Sequence, residues 1–580
     1  MTIAPRAAHE TIAALTAPSS PFEISEWDLD GARYRAYAHA ATTLPQLLSA
    51  VRAHGNRDFL IFDGQRTSFE EFVHDVDALA AALQLEFGVR RGDRVAIAMR
   101  NCPDWMMVFV AATFIGAVVV PVNSWGSAEE LEYTINDCGA TLLAADSTRA
   151  RLAADFVDHT SIDILFSDVE SAFDDLPAAV AATLRIHRID DVVTAHRGHQ
   201  YEAAAPDPGD VALLMYTSGS TGRPKGVIIR HVAIGQAMMN MVFLGAVVVR
   251  LGDGTEPRAT ATGEAQLVTV PLFHATGLLS GFLLPCVVGH KVALMRKWDA
   301  EIAMDIIATE KITTITSVPA IVKDLLTHPK LGDHDLSSIT RVAAGGAATP
   351  ADMPDLLRDK LGIVSRSAGY GMTETTAVGA AMTGPLAELK PLSSGIPSPI
   401  IECRAADGTG AILDSGLDGE IQLRGITVTP GYWQRDDVTA EAFTADGWLR
   451  TGDIGHLDDD GFLHITGRIK DIVIRGGENI APNEIENAAY RHPAVKEAAV
   501  FGVPDDMMGE ELAMVWQPRP GAELTEDEMR RHLHQLLPKF KVPKYITLSP
   551  EALPRNVSEK IDRRRLQREC STNQTRPTTD

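Results

Sequence analysis

Short apolar runs alternate with amphipathic helical stretches over most of this chain, and that alternation limits the fold more than any other feature. From Thr67 onward, residues 94–99 (RVAIAM), 117–122 (AVVVPV), 141–145 (TLLAA), 211–216 (VALLMY) and 267–272 (LVTVPL) read as buried strands. Strands separated by helices build βαβ units, and such crossovers require a mainly parallel sheet covered on both faces. The predicted class is α/β. At 580 residues the chain exceeds what one hydrophobic core supports, so at least two domains are expected.

The texture then changes twice. Residues 392–454 carry short strands punctuated by Gly and Asp, which predicts a small β-rich subdomain. Beyond Gly467 come a strand-like IVI (472–474), a glycine pair and the helix-like NEIENAAYRH, then a charged, partly helical stretch at 525–566. The expected organisation is a large N-terminal domain over 1–469, built of βαβ subdomains plus the β-rich one. A small mobile α+β domain over 470–568 and a polar, disordered tail over 569–580 complete it. The first forty residues, rich in Ala, Pro and Ser, read as an irregular lead-in, and residues 202–210 as a linker.

A net charge of −24 argues against a nucleic-acid surface, so any phosphate site must be a local exception. The five cysteines are scattered without a CxxC pair, which points to neither a disulfide framework nor a zinc site and suits a cytoplasmic location. No signal-peptide core is visible at the N-terminus. The stretch 106–122 is strongly apolar but is interrupted by Gly116 and Pro121, short of the roughly 20 residues a membrane span needs. It reads as a buried helix running into a buried strand, and no membrane span is expected.

The segment with the most chemistry is residues 216–226, YTSGSTGRPKG. An apolar strand enters it, and four hydroxyl residues and three glycines surround Lys225. Such a loop can turn its N–H groups inward around a polyphosphate, with hydroxyls and an ammonium adding donors. It is not a P-loop: Gly222 lies too far from Lys225, and Gly226 follows the lysine where Ser or Thr would stand.

This run resembles the phosphate-binding signature of the adenylate-forming superfamily, which includes acyl-CoA ligases, luciferases and peptide-synthetase adenylation domains. Further motifs of that superfamily follow in order across residues 67–566. The resemblance implies that Thr217, Ser218, Gly219, Ser220, Thr221, Gly222 and Lys225 hold nucleotide phosphates. In residues 369–375 (GYGMTET) it implies that Tyr370 stacks on adenine, with Gly371 and Met372 beside the nucleotide. Thr373 there contacts the α-phosphate and Glu374 holds Mg²⁺, a role suited to a carboxylate because that cation prefers oxygen ligands. Residues 341–347 (RVAAGGA) resemble the loop between adenine and acyl group, placing Gly345, Gly346 and Ala347 at the nucleotide.

By the same resemblance Asp453 and Arg468 reach the ribose, Lys470 is a hinge, and Gly476, Gly477 and Glu478 line the coenzyme A channel. His274, in residues 271–277 (PLFHATG), gates the acid site; Gly277, Val318, Ala343 and Gly345 join it around the acyl group. Lys560 assists adenylation. The residue before that lysine is glycine in the family and Glu559 here. Two expectations stay open: a tolerated variation, or a chain that only thioesterifies an adenylate made by a separate adenylating enzyme.

The implied reaction joins a carboxylic acid to coenzyme A through an acyl-adenylate, with ATP converted to AMP and pyrophosphate and Mg²⁺ as cofactor. A luciferase-type oxygenase, a stand-alone adenylation enzyme and a non-catalytic nucleotide-binding module are the rivals. The candidate pocket segments (273–277, 318–321, 343–346) are small and apolar without a fixed charge, which favours a hydrophobic acid over an amino acid or acetate. Oligomeric state is left open, a homodimer included.

Overall fold

The computed structural model describes residues 5–157, 162–169, 185–217, 223–251, 263–344, 353–363, 367–390, 393–505, 507–519, 521–555 and 561–574. The chain divides into two compact units. Unit 1 comprises Met1–Gly346, Lys360–Glu402 and Leu423–Leu449; unit 2 comprises Ala347–Asp359, Cys403–Gln422 and Arg450–Asp580.

Two large sheets carry unit 1. Among the described residues, the first has seven strands in the spatial order Lys225–Arg230, Val211–Thr217, Val118–Pro121, Arg94–Ala98, Ala140–Asp146, Asp163–Ser167 and Arg185–Arg188. All neighbours are parallel except Lys225–Arg230, which runs antiparallel to Val211–Thr217. The second has six strands in the order Arg341–Ala344, Thr314–Ser317, Ala265–Val268, Lys291–Leu294, Asp58–Phe62 and Gln65–Ser68, with only the last antiparallel. The α/β class therefore holds.

Local chemistry explains where the elements begin and end. Helix Phe69–Leu85 starts with a capping box, in which Ser68 and Glu71 satisfy each other's exposed backbone N–H groups. Helix Pro103–Phe114 has proline in its first turn, where a missing N–H costs nothing, and is buried from Trp105 to Phe114. Gly116, at φ +78°, then turns the chain into the buried strand Val118–Pro121. The apolar stretch 106–122 is thus the helix and strand expected. Each fully buried Val, Leu, Ile or Phe side chain in such elements contributes about 1.5–3 kcal/mol.

Several readings need correction. Strand Ala265–Val268 ends four residues before the apolar run does, because Asn101 captures the backbone beyond it. The lead-in is structured: helix Pro5–Leu15 buries Ala8, and the hairpin Ile24–Leu29/Ala32–Tyr37 follows. Ile12 and Leu15 pack in the same cluster as Val247 and Leu251 of the long helix His231–Leu251. That helix passed unnoticed in the sequence. It is long and apolar enough to cross a membrane by length and composition, but 56% of its apolar window is buried within the fold. Buried hydrogen bonds tie it in, from Tyr37 N to Gln236 Oε1 (2.8 Å) and from Tyr37 Oη to Asn240 Oδ1 (3.0 Å).

In unit 2, strands Val473–Arg475, Glu478–Ile480, Val495–Asp505, Gly509–Pro518 and Tyr545–Leu548 form one sheet. Helices Pro482–Tyr490 and Glu526–Leu536 contribute Ile485, Ala489, Met529 and Leu533 to the core on it. A four-stranded sheet of Ile401–Ala406, Gly419–Gly425, Leu449–Leu457 and Leu463–Arg468 lies mainly in this unit. The polar end expected as a tail from 569 is helical to Gln574 (Arg563–Gln574), because Leu566 is buried in a cluster that Cys570 also joins, one turn further on.

Candidate functional site

In unit 1 the strands on either side of the phosphate-loop segment, Val211–Thr217 and Lys225–Arg230, pair antiparallel. Thr217 pairs with Lys225 and Tyr216 with Gly226, so the two ends of the loop are held opposite each other. Ser218, Gly219, Ser220, Thr221 and Gly222 lie outside the described residues. The neck is braced from behind. Tyr216 Oη donates to Asp137 Oδ2 at 2.6 Å, and Trp433 Nε1 donates to the Asp137 carbonyl at 3.2 Å. A Cβ on Gly226 would sit 3.0 Å from Tyr216 Cζ and 3.3 Å from Trp433 Cβ, which explains the glycine after Lys225 by packing.

A second segment crosses this hairpin. Trp433 N donates to the Gly226 carbonyl (2.8 Å), Ile228 N donates to the Gly431 carbonyl (3.2 Å), and Tyr432 bridges to Val227. Thr429 ties the segment down further, its hydroxyl lying 2.7 Å from the carbonyls of both Ile228 and Gly431, either of which can take its one proton. The same segment holds the Glu374 loop. Thr429 N donates to the Glu374 carbonyl at 2.7 Å, and Thr376 Oγ1 to the Thr427 carbonyl at 2.8 Å.

Tyr370 ends strand Ser367–Tyr370, and Thr373–Thr375 form a single 3₁₀ turn. Thr375 Oγ1 accepts from Met372 N at 3.1 Å, which fixes the turn. Gly371 must be glycine for space, since a Cβ there would meet the Ala377 carbonyl oxygen at 2.5 Å. Glu374 is buried, 8% exposed, and its Oε1 accepts from Tyr432 Oη at 2.9 Å. The Lys225 ammonium lies 5.6 Å from the Tyr432 ring centroid, within cation–π range. Lys225 and Glu374, distant in sequence, are thus joined through one tyrosine that the sequence reading missed. The signal available for it, an aromatic pair after glycine at 431–433, is a weak one.

The acid-site candidates share a topological origin. In open α/β sheets, ligands bind beyond the carboxyl ends of the parallel strands. Val318 follows strand Thr314–Ser317, the 271–277 segment follows Ala265–Val268, and Ala343 lies at the end of Arg341–Ala344; these three strands are neighbours. Gly345, Gly346 and Ala347, the next residues, lie outside the described residues. Asn101 holds the 271–277 segment from the other sheet: its Nδ2 donates to the Val270 carbonyl and its Oδ1 accepts from Leu272 N, both at 2.9 Å. The His274 ring lies tilted by 46° against Phe273 with centroids 4.3 Å apart, and Phe273 meets the Trp125 ring edge-on at 5.7 Å. Gly277 has a packing reason of its own, because a Cβ there would fall 2.1 Å from the Pro271 carbonyl oxygen.

The ribose candidates lie in unit 2. Asp453 and Arg468 are register partners on neighbouring strands, and Arg468 Nε meets Asp453 Oδ1 at 2.6 Å. Asp453 is 2% exposed, while the Arg468 side chain is about half exposed. Gly452, inside strand Leu449–Leu457 and next to Asp453, has φ +69°, a conformation glycine adopts without steric cost. Lys470 is exposed in the 3₁₀ turn Ile469–Asp471. Gly476 and Gly477 turn the chain into strand Glu478–Ile480 at φ +59° and +89°. A Cβ on Gly476 would press on Met508 Cε at 2.5 Å, whereas nothing lies near Gly477. Lys560 and Glu559 lie outside the described residues; Arg555 and Ile561 on either side of that stretch pair as an antiparallel bridge.

Comparison with known proteins identifies the family. The chain matches the AMP-binding enzyme family over residues 47–433 and the AMP-binding enzyme C-terminal domain over 484–560. It is 33% identical to a feruloyl-CoA synthase from Amycolatopsis sp, covering 86% of this chain and 93% of that one. It is 32% identical to a long-chain-fatty-acid–CoA ligase from Bacillus subtilis (strain 168), covering 92% and 95%. The solved o-succinylbenzoate CoA synthetase from Bacillus subtilis, in complex with its acyl-adenylate intermediate, superposes with a TM-score of 0.73. It shares 26% identity, over 90% of this chain and 97% of that one. The chain belongs to the AMP-binding enzyme family, within the adenylate-forming superfamily. Inside that superfamily it falls among the acyl-CoA synthetases, the AMP-forming acid–thiol ligases, and it carries their nucleotide-binding domain.

Proposed function

We propose that this ligase activates a hydrophobic carboxylic acid with ATP and Mg²⁺ and transfers the acyl group to coenzyme A, in the cytoplasm. The observation that carries the reading is the joining of the phosphate-loop lysine, Lys225, to Glu374 through Tyr432. Attack of a carboxylate on the α-phosphorus of ATP brings anions together, so catalysis rests on positioning and charge neutralisation. Lys225 and the hydroxyl loop 217–222 hold the leaving pyrophosphate, Thr373 meets the α-phosphate, and Tyr370 stacks on adenine. His274 gates the acid, and Asp453 with Arg468 takes the ribose.

A buried carboxylate suits Mg²⁺, which takes oxygen ligands and completes its shell with substrate phosphates and water. Glu374 would hold it, and when bound it supplies charge neutralisation at the phosphates. Lys560 bridges carboxylate and phosphate in the first half-reaction. Movement about Lys470 then withdraws it and brings up Gly476, Gly477 and Glu478 for attack by the thiol.

A second reading is favoured by Glu559: a carboxylate beside Lys560 competes with the incoming triphosphate for that ammonium. Two assays on the same protein decide between them, acid-dependent pyrophosphate exchange and thioester formation from a supplied acyl-adenylate. Vigorous exchange in both wild type and Glu559→Gly supports the two-step ligase. Thioester formation without exchange, with exchange gained in Glu559→Gly, supports the thioesterification-only enzyme. Neither activity with any hydrophobic acid sinks both.

A further inference from the structure

Lys225 and Glu374 carry opposite charges and work on the same nucleotide, one on its phosphates and one on the metal. Left to themselves such groups pair, and a lysine paired to a glutamate serves neither role. In this fold no carboxylate oxygen among the described residues lies within 4 Å of the Lys225 ammonium. The Tyr432 side chain engages both, its ring under the ammonium and its hydroxyl on Glu374 Oε1.

We infer that Tyr432 is a positioning residue that keeps Lys225 and Glu374 apart and separately aimed, so that the site can take a nucleotide triphosphate together with its divalent cation. The inference rests on the roles proposed above for those two residues. The ring face attracts the ammonium through its quadrupole without neutralising it. The hydroxyl occupies one carboxylate oxygen and fixes the plane of the group. The backbone makes the placement rigid. Tyr432 N donates to Thr439 Oγ1 at 3.0 Å, the residue bridges to Val227, and its neighbours Gly431 and Trp433 are bonded to the lysine's own strand. The tyrosine therefore moves with the phosphate-loop hairpin, and its hydroxyl refers the Glu374 carboxylate to that hairpin.

Two substitutions separate the two functions of the ring and the hydroxyl. Tyr432→Phe keeps the ring and removes the donor; Tyr432→Leu removes both. The measurement is calorimetric affinity for ATP, first with EDTA and then with saturating Mg²⁺, in the absence of any acid. For Tyr432→Phe, metal-free affinity should stay within about twofold of wild type. The factor by which Mg²⁺ tightens ATP should fall about tenfold, the size of a lost hydrogen bond to a charged group. For Tyr432→Leu, metal-free affinity should itself drop by about threefold or more as Lys225 turns to Glu374. An unchanged Mg²⁺ effect in Tyr432→Phe overturns the inference, and so does an equal loss of metal-free affinity in both variants. Because Tyr432→Phe is nearly isosteric, the first comparison stands even if Tyr432→Leu fails to fold. The readout is binding, so a wild type that binds Mg·ATP but ligates no tested acid would count against the proposed reaction and leave this role standing.

Discussion

Asp453 and Arg468 show why a single residue can be worth more than its side chain. The carboxylate is almost fully buried, yet its partner Arg468 is half exposed, so the pair is anchored on one side and open on the other. Asp453→Ala removes a charged acceptor and leaves Arg468 without that partner. Affinity for AMP should fall by about 1.5–3 kcal/mol, measured by calorimetry, and a change under about twofold would remove Asp453 from the ribose role. His231 is a residue whose pH behaviour matters for the fold. It is 2% exposed, its Nδ1 accepts from Leu44 N at 3.2 Å, and burial pulls its pKa down to about 4. The folded state thus resists a proton that the unfolded chain accepts near 6.5, so stability is lost as pH falls from about 6.5 to about 4. The loss is on the order of 3 kcal/mol at most. Urea unfolding at pH 7 and pH 4.5 should show a smaller decline for His231→Gln than for wild type.

At the scale of elements, the 271–277 segment is held by a neighbour rather than by its own strand. The Asn101 amide mimics a strand partner, bonding the backbone at 270 and 272 just where strand Ala265–Val268 has ended. Asn101→Ala leaves a carbonyl and an N–H without those bonds, each worth about 0.5–1.5 kcal/mol, and loosens the segment that presents His274. The KM for the acid should rise by about fivefold or more, while the KM for ATP moves less than about twofold. Equal changes in both would mean that Asn101 supports the fold in general and the gate not at all.

For the whole molecule, the open question is how one chain serves two half-reactions. The proposed answer places a hinge at Lys470, an exposed residue in a 3₁₀ turn whose following residue, Ile472, donates its N–H to the Arg468 carbonyl at 3.1 Å. The chain passes between the compact units for the last time earlier, at Leu449/Arg450, so Lys470 lies inside unit 2 together with Asp453 and Arg468. Lys470→Pro would fix φ near −65° and remove a backbone donor. Thioester formation from a supplied acyl-adenylate should fall by about tenfold or more with adenylate affinity retained. Normal thioester formation in that variant would move the hinge elsewhere.

The α/β class and the motif that marks the family were legible in the residues because each rests on local chemistry. Buried parallel strands need unbroken apolar runs such as 94–99 and 117–122, and a polyphosphate cradle needs small, hydroxyl-bearing residues with one lysine. Elements whose stability comes from distant partners were not legible. Helix Pro5–Leu15 is amphipathic but too short to stand alone, and it becomes a helix in the tertiary structure because the far-off helix His231–Leu251 offers it an apolar face. Asn101 and Tyr432 gave no clear sign of their part in the site, since an asparagine after a strand and a tyrosine after glycine are ordinary. Their partners lie 169 residues away for Asn101 and Val270, and 58 for Tyr432 and Glu374. Periodicity and composition report what a segment buries, whereas a hydrogen bond between remote side chains exists only once the sheets have brought their strand ends together.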